Sequence, residues 1–139
     1  MVTEDVKKQF VNYILLQVFD DQYIDRQEEK KILEEGISNG LGIEECQAII
    51  RQVALEKGFV LERNAEERAK EMLETFAHND GKVDKKEFED TLAIFKSHSK
   101  GKLSESEMKK RLKLMMVEND WEAKEGGFFG SKWFSEIAV

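Results

Sequence analysis

At 139 residues the chain is long enough for one compact domain with a real core, and it carries no proline, 37% charged and 40% hydrophobic residues, the profile of a helical bundle. A net charge of −7 disfavours nonspecific binding to DNA or RNA and suits cations or basic partners. The one cysteine, Cys46, excludes an intrachain disulfide, and no apolar run approaches the roughly 18 to 20 residues that span a bilayer. The opening MVTEDVKKQF contains acids and no long apolar stretch, so a signal peptide is not expected and a cytoplasmic location is.

The first predicted helix runs from Glu4 to Phe19 with Thr3 as N-cap and Val6, Phe10 and Ile14 on one face. Its YILLQVF run is apolar almost all round, which predicts a helix central to the core. Asp20 to Ile24 breaks the period, and Asp25 with Glu28 forms a capping box for a second helix carrying Ile32, Leu33 and Ile37. Gly40-Leu41-Gly42 ends it. A third helix follows from Ile43 to about Lys57, with Cys46, Ile49, Ile50 and Val53 inward and Gly58 as C-cap. Phe59-Val60-Leu61 reads as an apolar linker between two similar halves.

Asn64 with Glu67 predicts another capping box, opening a helix with Ala65, Ala69, Met72, Leu73 and Phe76. After an acidic turn, Lys85 to Ser97 buries Phe88, Leu92 and Phe95. Gly101 marks a further turn, and Ser104 with Glu107 caps a last helix carrying Met108, Leu112, Met115 and Met116. The pattern predicts an all-α fold: a single-domain bundle over residues 1–120, built as related halves at about 4–57 and 64–118, with no run long enough to argue for a sheet. Residues 121–139 differ in kind. Gly126, Gly127 and Gly130 interrupt an aromatic set of Trp121, Phe128, Phe129, Trp133 and Phe134. This tail is expected to fold back on the bundle; its alternative use is docking on a protein partner.

The turns carry the chemistry. In FAHNDGKVDKKEFEDTL, Gly81 supplies a positive φ, Val83 turns inward as a plug, and Asp84 with Glu87 caps the next helix. Acids at Asp80, Asp84 and Glu87 around a glycine turn are also what an oxygen-ligated cation such as Ca2+ requires. The same pattern occurs in DDQYIDRQEEKKIL and, degraded, in SKGKLSESEMKKRL, where Lys100 replaces the turn acid. Capping accounts for Asp25, Glu28, Asp84 and Glu87 but not for Asp20, Asp21 and Asp80, so any cation belongs to the first two turns. Against an EF-hand loop the opening ligand positions fall on Gln17 and Phe19 in the first turn and on Phe76 and His78 in the second. Ligation and capping both remain open on these residues.

From about Gln9 to Met116 the repeat resembles the TerB-like domain of tellurite-resistance and related bacterial proteins, on the stretches VFDDQYIDRQEEKKIL, GLGIEECQAII and FAHNDGKVDKKEFEDTL. That resemblance implies an all-α bundle of two halves and a metal-associated, non-enzymatic stress or signalling module. It makes Asp21, Asp25, Glu28, Asp80, Asp84 and Glu87 candidate ligands. Gln22 in place of a glycine, the extra turn at Gly101 and the aromatic tail depart from the family pattern.

No phosphate loop, HExxH or CxxC occurs, and His78 and His98 take their spacing from the repeat. Enzymatic activity is therefore not expected. Cys46 reads as a small core residue, and the lysines from Lys96 to Lys113 as a solvated helix face. The leading expectation is a calcium-binding regulatory protein with Asp20, Asp21, Asp25, Glu28, Asp80, Asp84 and Glu87 as candidate ligands. Its rival is a metal-free interaction adaptor whose acidic turns only cap helices.

Overall fold

Each acidic turn ends one helix and starts another, and the chain uses that unit twice. The computed structural model describes residues 3–125 and 132–138. Its helices are α1 (Glu4–Gln17), α2 (Arg26–Ser38), α3 (Ile43–Lys57), α4 (Glu62–Ala77), α5 (Lys85–Ser99) and α6 (Glu105–Glu118). The fold is all-α. Four strands of two residues each connect them: β1 (Tyr23–Ile24), β2 (Val60–Leu61), β3 (Lys82–Val83) and β4 (Glu122–Ala123). The chain divides into two compact units, Met1–Arg63 and Asn64–Val139.

In the first unit α1, α2 and α3 enclose Phe10, Ile14, Ile32, Cys46 and Ile50, with Ile24 and Leu61 closing one end. β1 pairs with β2 in parallel, Tyr23 opposite Val60 and Ile24 opposite Leu61. The second unit repeats this plan. Ala69, Leu73, Phe95, Met108 and Leu112 fill its core, and β3 pairs with β4 in parallel, Lys82 opposite Glu122 and Val83 opposite Ala123. The backbone joints match as well. Gly58 (φ +72) and Asp120 (φ +57) both end a helix, and the next amide, of Phe59 or Trp121, bonds back to Ala54 O or Met116 O at 2.9 Å.

With the turns as register, Phe10, Gly36 and Cys46 in the first unit correspond to Ala69, Phe95 and Met108 in the second. The phenyl ring sits on the first helix in one unit and on the second helix in the other. Each core thus keeps one large ring facing a small residue while the helix that supplies it changes, and Met108 makes the second set bulkier than the first.

Four expectations need correction. The strands exist, but two-residue strands have no alternating run to detect. α1 stops at Gln17 and is not buried all round: Leu16 is 75% exposed, and Phe19, just past its end, is 79% exposed. α4 starts at Glu62, so Asn64 and Glu67 lie inside the helix; the chain passes straight from β2 into it, and Glu62 is held inward by Tyr23. Ile37, placed on the buried stripe of α2, stands 48% exposed.

Candidate functional site

The first two turns are built alike. Asp21 Oδ1 accepts the amide of Tyr23 at 3.1 Å, and Asp80 Oδ1 accepts that of Lys82 at 3.0 Å. Each is an Asx turn, in which a side chain stands in for backbone. This gives Asp21 and Asp80 the local role that helix capping does not. Gly81 takes φ +70, and Gln22 adopts the same left-handed conformation at φ +57 without being glycine. Ile24 and Val83 plug the cores at full burial.

The capping boxes then close. Asp25 Oδ1 accepts from Glu28 N at 2.7 Å and Glu28 Oε1 from Asp25 N at 3.2 Å. Asp84 and Glu87 exchange the same pair of bonds at 2.7 and 2.9 Å. In the third turn Ser104 Oγ accepts from Glu107 N at 3.2 Å, while the Glu107 carboxylate turns to Arg111 at 3.1 Å.

Electrostatically the turns diverge. Lys124, just past β4, sets its ammonium 3.1 Å from Asp80 Oδ2. That hydrogen bond holds the Asp80 carboxyl below its ordinary range and raises the Lys124 ammonium, with Glu87 and Asp84 adding to the field on Lys124. The second turn thus contains its own cation. In the first turn, burial raises the Glu28 carboxyl, and the charges of Asp25 and Asp21 push the same way. Among the described residues no lysine or arginine pairs with Asp20, Asp21, Asp25 or Glu28.

The structure brings Asp21, Asp25 and Glu28 together in one unit and Asp80, Asp84 and Glu87 in the other; Asp20 is exposed at the edge of the first set. Ca2+ takes six to eight oxygen ligands, and Gln17, Phe19, Phe76 and His78 supply no carboxylate at the opening positions. Among the described residues no group of three or more His, Cys, Asp or Glu is arranged to hold a metal ion. Burial raises the Cys46 thiol, as for a core cysteine.

Two buried polar pairs escaped the sequence reading. Glu29, 2% exposed, receives Arg63 at 2.6 Å, and Glu62, 4% exposed, accepts a short hydrogen bond from the Tyr23 hydroxyl. The partners lie over thirty positions apart, and only the β1–β2 pairing brings them together. Phe88 replaces Glu29 at the matching position of the second unit, and there the tail supplies the cover. Trp133 lies 5.1 Å from the Phe88 ring, and Phe134 and Ile137 pack on the same core.

Polar bonds fix that tail segment. Glu125 accepts from Phe134 N, Ser135 N and Ser135 Oγ, and Lys113 donates to Phe134 O and Ile137 O at 3.0 Å each. Of the aromatic set, Trp121, Trp133 and Phe134 are partly buried; Phe128 and Phe129 lie outside the described residues. Within the lysine-rich face, Lys96 pairs with Glu105 at 3.1 Å at the surface and Arg111 pairs with Glu66 at 3.2 Å in a partly buried position.

The first unit also presents an apolar surface. Leu16 and Phe19 project at the end of α1, next to exposed Asp20 and Asp21. Beside Leu16 runs a groove of about 320 Å3 between α1 and α2, lined by Phe10, Asn12, Tyr13, Glu35 and Asn39 among others. Comparison of the chain with protein-family models, curated proteins and solved structures finds no match.

Proposed function

We propose that the chain is a non-enzymatic interaction module whose first unit binds a basic amphipathic segment of another protein. The observation that carries this is the exposure of Leu16 (75%) and Phe19 (79%) three positions apart at the end of α1, followed by exposed Asp20 and Asp21, with Glu35 beside Leu16 in the groove. Exposed large apolar groups bordered by charge mark docking surfaces, and carboxylates select a partner with lysines or arginines beside its apolar stripe. The net charge of −7 adds long-range attraction. On this reading the acidic turns are structural, each helix start being held by its own aspartate. The experiment is fluorescence anisotropy with a labelled lysine–leucine amphipathic peptide. Binding weakens about tenfold or more in the Leu16→Ser/Phe19→Ser double variant and falls as salt rises. Equal binding of an acidic peptide, or an unaffected double variant, refutes the proposal.

A second reading, divalent-cation binding of the kind the TerB-like resemblance implies, draws on the crowding of Asp21, Asp25 and Glu28 without a paired ammonium. A cation there would be held loosely, in part through water. Calorimetric titration of the chelator-treated protein with calcium tests it: saturating heat supports the reading, and no heat up to millimolar calcium rejects it.

A further inference from the structure

On the second unit, α5, α6 and the tail segment leave a cleft of about 290 Å3. That is just below the range of ligand pockets, about 300–1,000 Å3. Its floor is apolar: Phe88 and Leu92 are 2% and 5% exposed, and Trp133 and Ile137 form one wall. Its rim is charged, with Lys85, Lys96 and Lys109 against Glu89 and Glu105. Glu105 is already engaged by Lys96 at 3.1 Å and stands 4.0 Å from Lys109. These two lysines hold its carboxyl below the ordinary range. Lys85 has no ion pair among the described residues. An excess of ammonium over carboxylate therefore borders an apolar floor, on a chain that is acidic as a whole.

We propose that this cleft binds a small amphipathic carboxylate, with the hydrocarbon or aryl body on Phe88, Leu92 and Trp133 and the carboxylate between Lys85 and Lys109. The volume admits one compact body rather than a folded segment, and the rim matches a single negative charge. Burying apolar surface supplies the affinity, and the lysines discriminate the head group. The site is independent of the peptide surface on the first unit.

The test uses octanoate, octanol and octylammonium as probes, below the micelle concentrations of the two ions and the solubility limit of octanol. The chain has two tryptophans, so Trp121→Phe leaves Trp133 as the sole indole reporter, and calorimetry on the unaltered chain gives a second readout. Octanoate produces a saturable change in Trp133 emission, and octanol and octylammonium bind at least tenfold more weakly. Lys85→Gln/Lys109→Gln brings octanoate down to the level of octanol. Ala93→Phe, a change at an exposed position on the rim, blocks binding of octanoate while leaving the helical circular dichroism intact. The proposal is overturned if octanoate shows no saturable binding by either readout. It is equally overturned if octanol matches octanoate, or if neither variant changes the octanoate affinity.

Discussion

Gly36 and Arg63 show what single residues decide in this fold. A Cβ on Gly36 would run into Cys46 Sγ and come within 2.9 Å of the Phe10 ring, so the glycine lets α2 approach its neighbours. Gly36→Ala gains helix propensity but overpacks the core. It is expected to destabilise by about 1–3 kcal/mol in denaturant titration. Arg63 is the partner of buried Glu29. Arg63→Ala leaves that carboxylate without its hydrogen bond, and a loss of about 1–3 kcal/mol is expected by the same measurement. Neither role was readable beforehand. Gly36 interrupts an otherwise ordinary helical pattern, and the Glu29–Arg63 pairing depends on a two-residue ladder that no periodicity announces.

At the scale of elements, caps and turns were the most legible part of the chain. Local hydrogen bonds follow from local sequence, and Thr3, Asp25, Asp84 and Ser104 all accept the bonds expected of N-caps. Asp84→Ala is expected to cost about 1 kcal/mol, read as a lower thermal midpoint, with calcium making no difference to that cost. The face each helix buries was less legible. The YILLQVF run shows why: Ile14 and Val18 are fully buried while Leu16 and Phe19 project outward, and hydropathy alone does not separate a buried apolar face from an exposed one.

The tail adds a pH dependence at the same scale. Hydrogen bonds from the Ser135 hydroxyl and amide and the Phe134 amide keep the Glu125 carboxyl below its ordinary value of 4.5. The contribution of Glu125 is therefore fully present above pH 4.5 and is lost as pH falls through the lowered folded value. Trp133 emission in a Trp121→Phe background is expected to change in that acid window. The Glu125→Gln variant should lack this component, and identical profiles for the two would show that Glu125 does not hold the tail.

For the whole molecule, the repeat predicted the all-α class because its turns recur in register; the short parallel ladder in each unit was not anticipated. Function was less legible because one set of carboxylates serves capping, Asx turns and charge at once. The structure separates these uses. Lys124 offsets part of the second turn's charge by pairing with Asp80, while the first turn has no such pair among the described residues and lies next to an apolar projection. Two turns of like sequence therefore have different surroundings, and the proposal of a basic, amphipathic partner for the first unit draws on that asymmetry.

The most direct measurement is an amide chemical-shift map of the isotopically labelled chain titrated with a lysine–leucine amphipathic peptide. The account predicts shifts concentrated at residues 9–21 and 35–39, where the groove, Leu16, Phe19, Asp20 and Asp21 lie. Shifts confined to the second unit, or none at saturating peptide, would contradict it.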